Sequence, residues 1–371
     1  MKLESVLIKV AIIILAVKAL FILSTVIIIF AGIHHAGSSG KDDPENDAKV
    51  DRTEAIYTLN DGGGSYALSQ VDINATEFVI PAEYNGLPVT AINRDAFYYV
   101  DYPMGCAGPD VYVAKLDSLT IPSSITEIKY GAFYKSDIKN IHYEGTIEEW
   151  CSISFGSSVF GEETSFYIGE EEVTDLTLPE TLVKVESQAF SGYKKLTSLN
   201  LNLVDTVGSE AFACCHNLES VTAHNLKLIE SAAFEDCPLL ESFEINSSPL
   251  EKIGENAFWR CEKLYSFTLP ENFISVGAKA FSGCTGLYDI YNFSNLNVIA
   301  GRSDNGNIAE NALIVHTQKD DGLTLKIDDN FGWVLSEERG QLVKYFGEEP
   351  ELILPEDVDG KQYDIRRNTF Y

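Results

Sequence analysis

The chain reads as a β-rich solenoid, a stack of short parallel strands joined by short helical or irregular turns. Ala-Phe pairs recur at Ala96-Phe97, Ala132-Phe133, Ala189-Phe190, Ala211-Phe212, Ala233-Phe234, Ala257-Phe258 and Ala280-Phe281, and the last five phenylalanines are 22, 22, 24 and 23 residues apart. Aligned on that Phe, the copies read L-x-S-φ-x-φ-(P), a variable turn, then φ-x-x-x-A-F-x-x-C-x-x-L, with φ apolar. A unit this short cannot bury its own apolar face, so successive copies must stack and share one core.

The first element precedes the repeats. Residues 10–33 are apolar apart from Lys18, and a helix of that length spans about 36 Å, enough to cross a bilayer. The cleaner run 19–33 has the size of a signal peptide's apolar region. A cut after Ala36 would put His34 where a small residue is preferred, so an uncleaved anchor over residues 1–36 is expected, with secretion the outcome if it is cleaved. Lys2 and Lys9 before the span, and Lys41-Asp-Asp-Pro after it, place the amino terminus inside and the repeats outside. Residues 37–54, acidic and rich in Gly and Ser, read as a flexible linker. His34-His35 reads as linker rather than as a metal site.

The array is expected over residues 55–322. It opens with a hairpin, Ile56-Tyr-Thr-Leu and Ser65-Tyr-Ala-Leu around a Gly-rich turn. In Leu264-Tyr-Ser-Phe-Thr-Leu-Pro270, alternation turns Phe267 and Leu269 inward and Ser266 and Thr268 outward. Pro122, Pro179 and Pro270 close their strands where no further ladder N–H is needed.

Two repeats are stretched. Phe97 to Phe133 is 36 residues and Phe133 to Phe190 is 57, insertions of about 13 and 34 on a period near 23. The first contains Tyr98, Tyr99, Tyr102, Cys106 and Tyr112 among Gly and Pro; it is either a recognition loop or tyrosines packed along a wide turn. In the second, Thr146 and Glu149 form a capping box for a short helix whose Ile147, Trp150 and Ile153 are expected on the coil edge.

Cys215, Cys237, Cys261 and Cys284 each follow a repeat Phe by three residues, as Tyr193 does, and are expected in the core. Their spacing matches no zinc pattern and no C-x-x-C occurs, so no metal and no cofactor is predicted. Cys214 and Cys106 are the more exposed of the seven cysteines.

Residues 323–371 repeat the opening order. Phe331-Gly-Trp-Val-Leu, a turn, Gln341-Leu-Val-Lys-Tyr-Phe, Leu352-Ile-Leu-Pro355, Asp359-Gly360, Ile365 and Phe370 follow the pattern of residues 56–97. A second repeat module starting here, and an incomplete copy of a longer two-array protein, are the expectation.

With 27 basic against 56 acidic residues, the net charge is −29. Nucleic acid is excluded as a partner, since phosphate binding needs clustered Lys and Arg. The acidity reads as a self-repelling, soluble surface; calcium binding has no D-x-[DN]-x-[DN]-G loop to support it. Ser191-Gly-Tyr-Lys194 matches an S-x-x-K pattern, yet Ser282-Gly-Cys-Thr285 holds the same offset without the lysine, so the repeat explains it. No H-E-x-x-H, G-x-S-x-G or phosphate loop is present, and no enzyme is expected.

The A-F-x-x-C-x-x-L unit on a period near 23 resembles the BspA-type leucine-rich repeat surface proteins of bacteria, over roughly residues 55–371. Ile141-His-Tyr-Glu-Gly-Thr-Ile-Glu-Glu-Trp150 and Phe78-Val-Ile-Pro-Ala-Glu-Tyr-Asn-Gly-Leu-Pro88 are similar to the same family. The resemblance implies secreted or cell-surface binding proteins, often adhesins, with no catalytic residues to carry over. A membrane-anchored extracellular recognition or adhesion protein for a protein or glycan is therefore the leading expectation. A non-binding spacer or envelope component and a surface hydrolase are the alternatives. The candidate contact residues are Thr222, Glu244, Thr268, Tyr265, Tyr288 and Tyr291 on the strand face, with Tyr99 and Tyr102 in the first insertion.

Overall fold

The computed structural model describes residues 54–72, 74–101, 110–246, 248–328, 330–347, 354–367 and 369. The expected membrane helix, the linker up to residue 53 and His34-His35 lie outside these residues. Among the described residues no helix is long and apolar enough to cross a membrane.

Two strands per coil build the solenoid. The first strands form a parallel row in two sheets, Glu77–Val79, Ser118–Ile121, Asn140–Tyr143 and Ser165–Ile168, then Asp175–Thr177, Ser198–Asn200, Ser220–Ala223 and Ser242–Ile245. Ser266–Leu269, Asp289–Asn292 and Ile314–His316 form a further parallel sheet. The second strands are shorter, such as Thr206–Val207, Leu228–Ile229 and Lys252–Ile253, and also pair in parallel. Alternation behaves as expected, with Phe267 and Leu269 buried and Ser266 and Thr268 half-buried.

All seven Ala-Phe pairs are buried. From Phe190 to Phe281 the rings stack on one another, with centroids 5.3, 5.5, 5.5 and 5.0 Å apart. Each Phe N–H in this column donates to the Ala carbonyl of the next coil where one exists: Phe190 to Ala211, Phe212 to Ala233, Phe234 to Ala257 and Phe258 to Ala280, all at 2.7–2.8 Å. The four repeat cysteines are buried, and each thiol donates back to the Phe carbonyl one coil earlier: Cys215 to Phe190, Cys237 to Phe212, Cys261 to Phe234 and Cys284 to Phe258, at 3.0–3.3 Å. A small, weakly donating side chain thus fills space and satisfies a buried carbonyl at once. Burial raises the Cys215, Cys261 and Cys284 thiols, the last to about 12.

Left-handed residues bracket each corner. Two positions before the Phe stand Gln188, Glu210, Ala232, Asn256 and Lys279; two after it stand Gly192, Cys214, Asp236, Arg260 and Gly283, all with φ between 54° and 82°. Each non-glycine residue there costs roughly 1–2 kcal/mol locally, which the stacking must offset. The coils also approach closely at Gly254, where a Cβ would lie 2.5 Å from the Ser231 nitrogen.

The two stretched repeats depart from a simple loop insertion. The first is an antiparallel hairpin, Tyr98–Asp101 with Asp110–Val113. The second is an extra coil made of Asn140–Tyr143, the capped helix Ile147–Cys151 and Ser154–Phe155. The capping box is present, but the helix's apolar side lies in the core rather than on the coil edge, with Trp150 and Ile153 fully buried. The reason is that this coil has no Ala-Phe corner. Trp150 packs on Phe166, Phe155 and Tyr143 at 4.4–5.2 Å, and its indole N–H donates to Ala189 O at 3.0 Å, the role a Phe N–H has in the later coils.

The carboxyl-terminal strands repeat the opening arrangement. Ile56–Leu59 and Tyr66–Gln70 are antiparallel and Leu87–Ile92 joins the latter in parallel; Phe331–Leu335, Gly340–Tyr345 and Tyr363–Ile365 do the same. Asn85-Gly86 and Asp359-Gly360 make matching turns, all four with positive φ. Thr324–Asp328 is an additional strand paired with Phe331–Leu335. Leu313 and Ile314 pack on Val334 and Val343, and the Arg366 guanidinium donates to Leu313 O at 2.9 Å, joining these strands to the coil of Ile314–His316.

Candidate functional site

The outward residues of the first strands form straight rows because the strands are parallel and in register. One row runs Thr177, Asn200, Thr222, Glu244, and in the following sheet Thr268, Tyr291, His316. Thr222 and Thr268 are half-buried and Glu244 is exposed. The early part of the face is small and polar, tied by contacts such as Ser198 Oγ to Asp175 at 2.7 Å.

Its carboxyl-terminal end is different. Tyr265 is 41% exposed and meets Tyr288 edge-on at 6.2 Å. Tyr291 stacks on His316, with centroids 4.5 Å apart and planes 11° from parallel, and its hydroxyl donates to Asp289 Oδ2 at 3.2 Å. His316 Nδ1 lies 2.9 Å from Asp321 Oδ2, so the imidazole bridges the strand and the loop after it. His316 Nε2 and Asp289 Oδ1 are 3.1 Å apart but misaligned, and both are buried without a hydrogen-bond partner among the described residues.

Burial raises the Asp289 carboxyl above the usual carboxylate range, against the opposing pull of His316. Tyr265 and Tyr291 are raised by burial and by the Asp289 charge. The result is a surface in which Tyr265 and Tyr291 flank one buried carboxylate and one imidazole, with Tyr288 beside Tyr265. It offers flat apolar faces for stacking and polar tips for hydrogen bonding. Among the described residues, no serine, threonine or cysteine side chain is hydrogen-bonded to this histidine.

Of the residues expected from sequence, Tyr265, Tyr288 and Tyr291 are brought together, and Thr222, Glu244 and Thr268 continue their face. Tyr99 lies in the separate hairpin, opposite Tyr112; Tyr102 lies outside the described residues. Asp289, His316 and Asp321 are not foreseen. Ile314–His316 belongs to a coil that carries buried Ile308 and Ala309 and no Ala-Phe pair, so the repeat signal does not reach it. The spacing of His316 from Tyr291, 25 residues and one period on, is the signal that would have found it.

The repeat geometry has a counterpart among known families. BspA type leucine rich repeat region matches residues 111–163 and 162–288 in six copies. The repeats of residues 111–288 are of the BspA leucine-rich type. Among solved structures, the chain is similar to a leucine rich repeat protein of T. pallidum, with 20% identity over 63% of this chain and 87% of that one, TM-score 0.33. It is also similar to a leucine rich cell surface protein from Faecalibacterium prausnitzii A2-165, with 18% identity over 75% and 96% of the two chains, TM-score 0.28. The pneumococcal vaccine antigen PcpA is 18% identical over 67% and 82%, TM-score 0.28. No curated protein matches the chain.

Proposed function

We propose that this protein is a surface recognition protein that binds a protein or glycan partner on the strand face ending at Tyr265, Tyr288 and Tyr291. The observation that carries the reading is the clustering of those three tyrosines around Asp289 and His316 at one end of an otherwise small, polar face. Tyrosine supplies contact area at little entropic cost, and its hydroxyl can exchange hydrogen bonds with hydroxyl or amide groups of a ligand. Thr222, Glu244 and Thr268 would extend the contact along the row, and Tyr99 and Tyr102 would add a second patch on the hairpin. Residues 1–36 would anchor the chain, residues 37–54 would tether it, and the array 55–322 would face outward with the module 323–371 beyond it.

Retention of a partner from host or environmental extracts, followed by Tyr265→Ala and Tyr291→Ala, tests the reading. Loss of at least tenfold in affinity in variants with an unchanged melting temperature is expected. Capture that is equal in parent and variants sinks the assigned face. A chain that retains nothing soluble is the spacer or envelope component instead.

A further inference from the structure

Outside that face, the corner after Phe212 carries a set of donors that the repeat does not require. The position two residues after the repeat Phe is left-handed in five successive coils, as Gly192, Cys214, Asp236, Arg260 and Gly283, with φ of 80°, 57°, 54°, 60° and 82°. Glycine fits such a backbone without penalty and stands at two of the five positions. A cysteine is disfavoured there, and Cys214 is not the core cysteine: that place belongs to Cys215, whose thiol is bonded to Phe190 O. Stacking then puts Cys214 directly beside Asp236 of the next coil, and His216 is two residues further along the chain.

Cys214 Sγ, a His216 ring nitrogen and an Asp236 carboxylate oxygen all lie within 4.8 Å of one another, and each side chain is part-exposed. His216 Nε2 is 3.1 Å from Asp236 Oδ2. We propose that Cys214, His216 and Asp236 bind one divalent transition-metal ion of the zinc class, leaving a fourth position open to water or to a donor from a partner.

A tetrahedral zinc ion with bonds of about 2.0–2.3 Å separates its ligand atoms by roughly 3.3–3.8 Å, so rotation of exposed side chains by about an ångström closes the set. One thiolate, one imidazole and one carboxylate match zinc and disfavour calcium and magnesium, which take oxygen donors. Arg260 Nη1 lies 3.7 Å from Asp236 Oδ1, while its guanidinium sits 5.1 Å from the Trp259 ring. It faces the carboxylate oxygen that His216 does not, and would hold the ligating group in orientation as outer-sphere partners do. Its positive charge opposes the ion, which makes the thiolate the ligand on which affinity depends.

The surrounding charge favours a cation: Glu210 and Glu235 stand near Cys214, and Glu162, paired with Lys194, stands near His216. Metal binding would replace the thiol proton by the ion, releasing one proton to solvent for each ion bound.

Cobalt(II) is the probe, added to reduced, untagged full-length protein with Cys106→Ser as background. One equivalent should bind with tetrahedral visible absorption and an ultraviolet thiolate-to-cobalt band, and zinc should displace it. Cys214→Gly supplies the residue that the stack itself uses at 192 and 283, so it removes the thiol without a backbone penalty. It should abolish the charge-transfer band, while His216→Ala and Asp236→Asn each weaken binding at least tenfold. Absence of the band in the parent, or its persistence in Cys214→Gly with circular dichroism unchanged, overturns the site.

Discussion

Trp150→Phe should destabilise the protein by about 2–4 kcal/mol, and the amount follows from two contacts. The indole N–H is the donor that Ala189 O receives in the core, and leaving a buried carbonyl unpaired costs about 1–3 kcal/mol. The smaller ring also leaves a void of roughly 40 Å3 among Tyr143, Phe155 and Phe166, worth about 1 kcal/mol at ~24 cal/mol per Å3. Neighbouring Tyr143 supplies a control of opposite sign. Its hydroxyl is buried with no partner among the described residues, and burial raises it to about 12. Tyr143→Phe removes that unpaired group at nearly constant shape and should be neutral or stabilising by about 1 kcal/mol. Urea denaturation followed by far-ultraviolet circular dichroism gives both values, and native-state hydrogen exchange locates them. In Trp150→Phe, protection should fall at residues 147–155 and 186–193 together, because the indole joins those two coils. A cost below about 0.5 kcal/mol with unchanged exchange at Phe190 would refute the indole's role in the ladder.

Phe234→Ala should cost about 3–5 kcal/mol and loosen the adjacent coils first, since its ring stacks on Phe212 and Phe258; hydrogen exchange reads this directly. Gly254→Ala forces a Cβ to 2.5–2.8 Å from the backbone of Glu230 and Ser231, and a stability loss of about 1–3 kcal/mol by urea denaturation is expected, against none if the coils can separate there. With Cys106 replaced by serine, a thiol reagent should label Cys214 well before Cys215, Cys237, Cys261 or Cys284 in the native protein; rapid labelling of Cys237 contradicts its burial. For Asp289 the folded carboxyl is raised, so the unfolded chain releases this proton first. Its contribution is most favourable below the unfolded value of about 3.9 and is lost as pH rises through the folded value. The parent should therefore lose stability relative to Asp289→Asn as pH rises above about 4, and the opposite slope in paired urea titrations would show that the His316 contact outweighs burial.

The corners and strands were legible because one chemical signature, Ala-Phe with an apolar partner at fixed spacing, reports burial directly. Phe267 and Leu269 turn inward as alternation requires, and Thr146 with Glu149 caps a helix as their spacing requires. Coils that replace the signature escape the same reading. Trp150 fills one corner with an indole and Ile308 with Ala309 fills another, so in sequence the first reads as an insertion and the second leaves His316 without a place on the face. The left-handed positions were equally hidden, since Glu210, Asn256 and Lys279 carry no local preference strong enough to announce them. Only the register of the stack dictates their conformation. Proximity between coils also made Cys214, His216 and Asp236 neighbours, and no spacing rule within one segment would have joined them.

The hydrogen bonds between coils have a mechanical consequence. At each corner one coil donates forward, Phe212 N–H to Ala233 O, and at the short strand the later coil donates back, Gly208 N–H to Val185 O. An interior coil is therefore held by a coil on each side, while an end coil has one such neighbour and the flanking hairpin strands on its other side. Pulled along its length, such an array yields from its ends, one coil at a time. Each coil of about 23 residues releases roughly 80 Å of extended chain, so a few coils can lengthen the molecule severalfold under shear while the rest of the stack keeps its form.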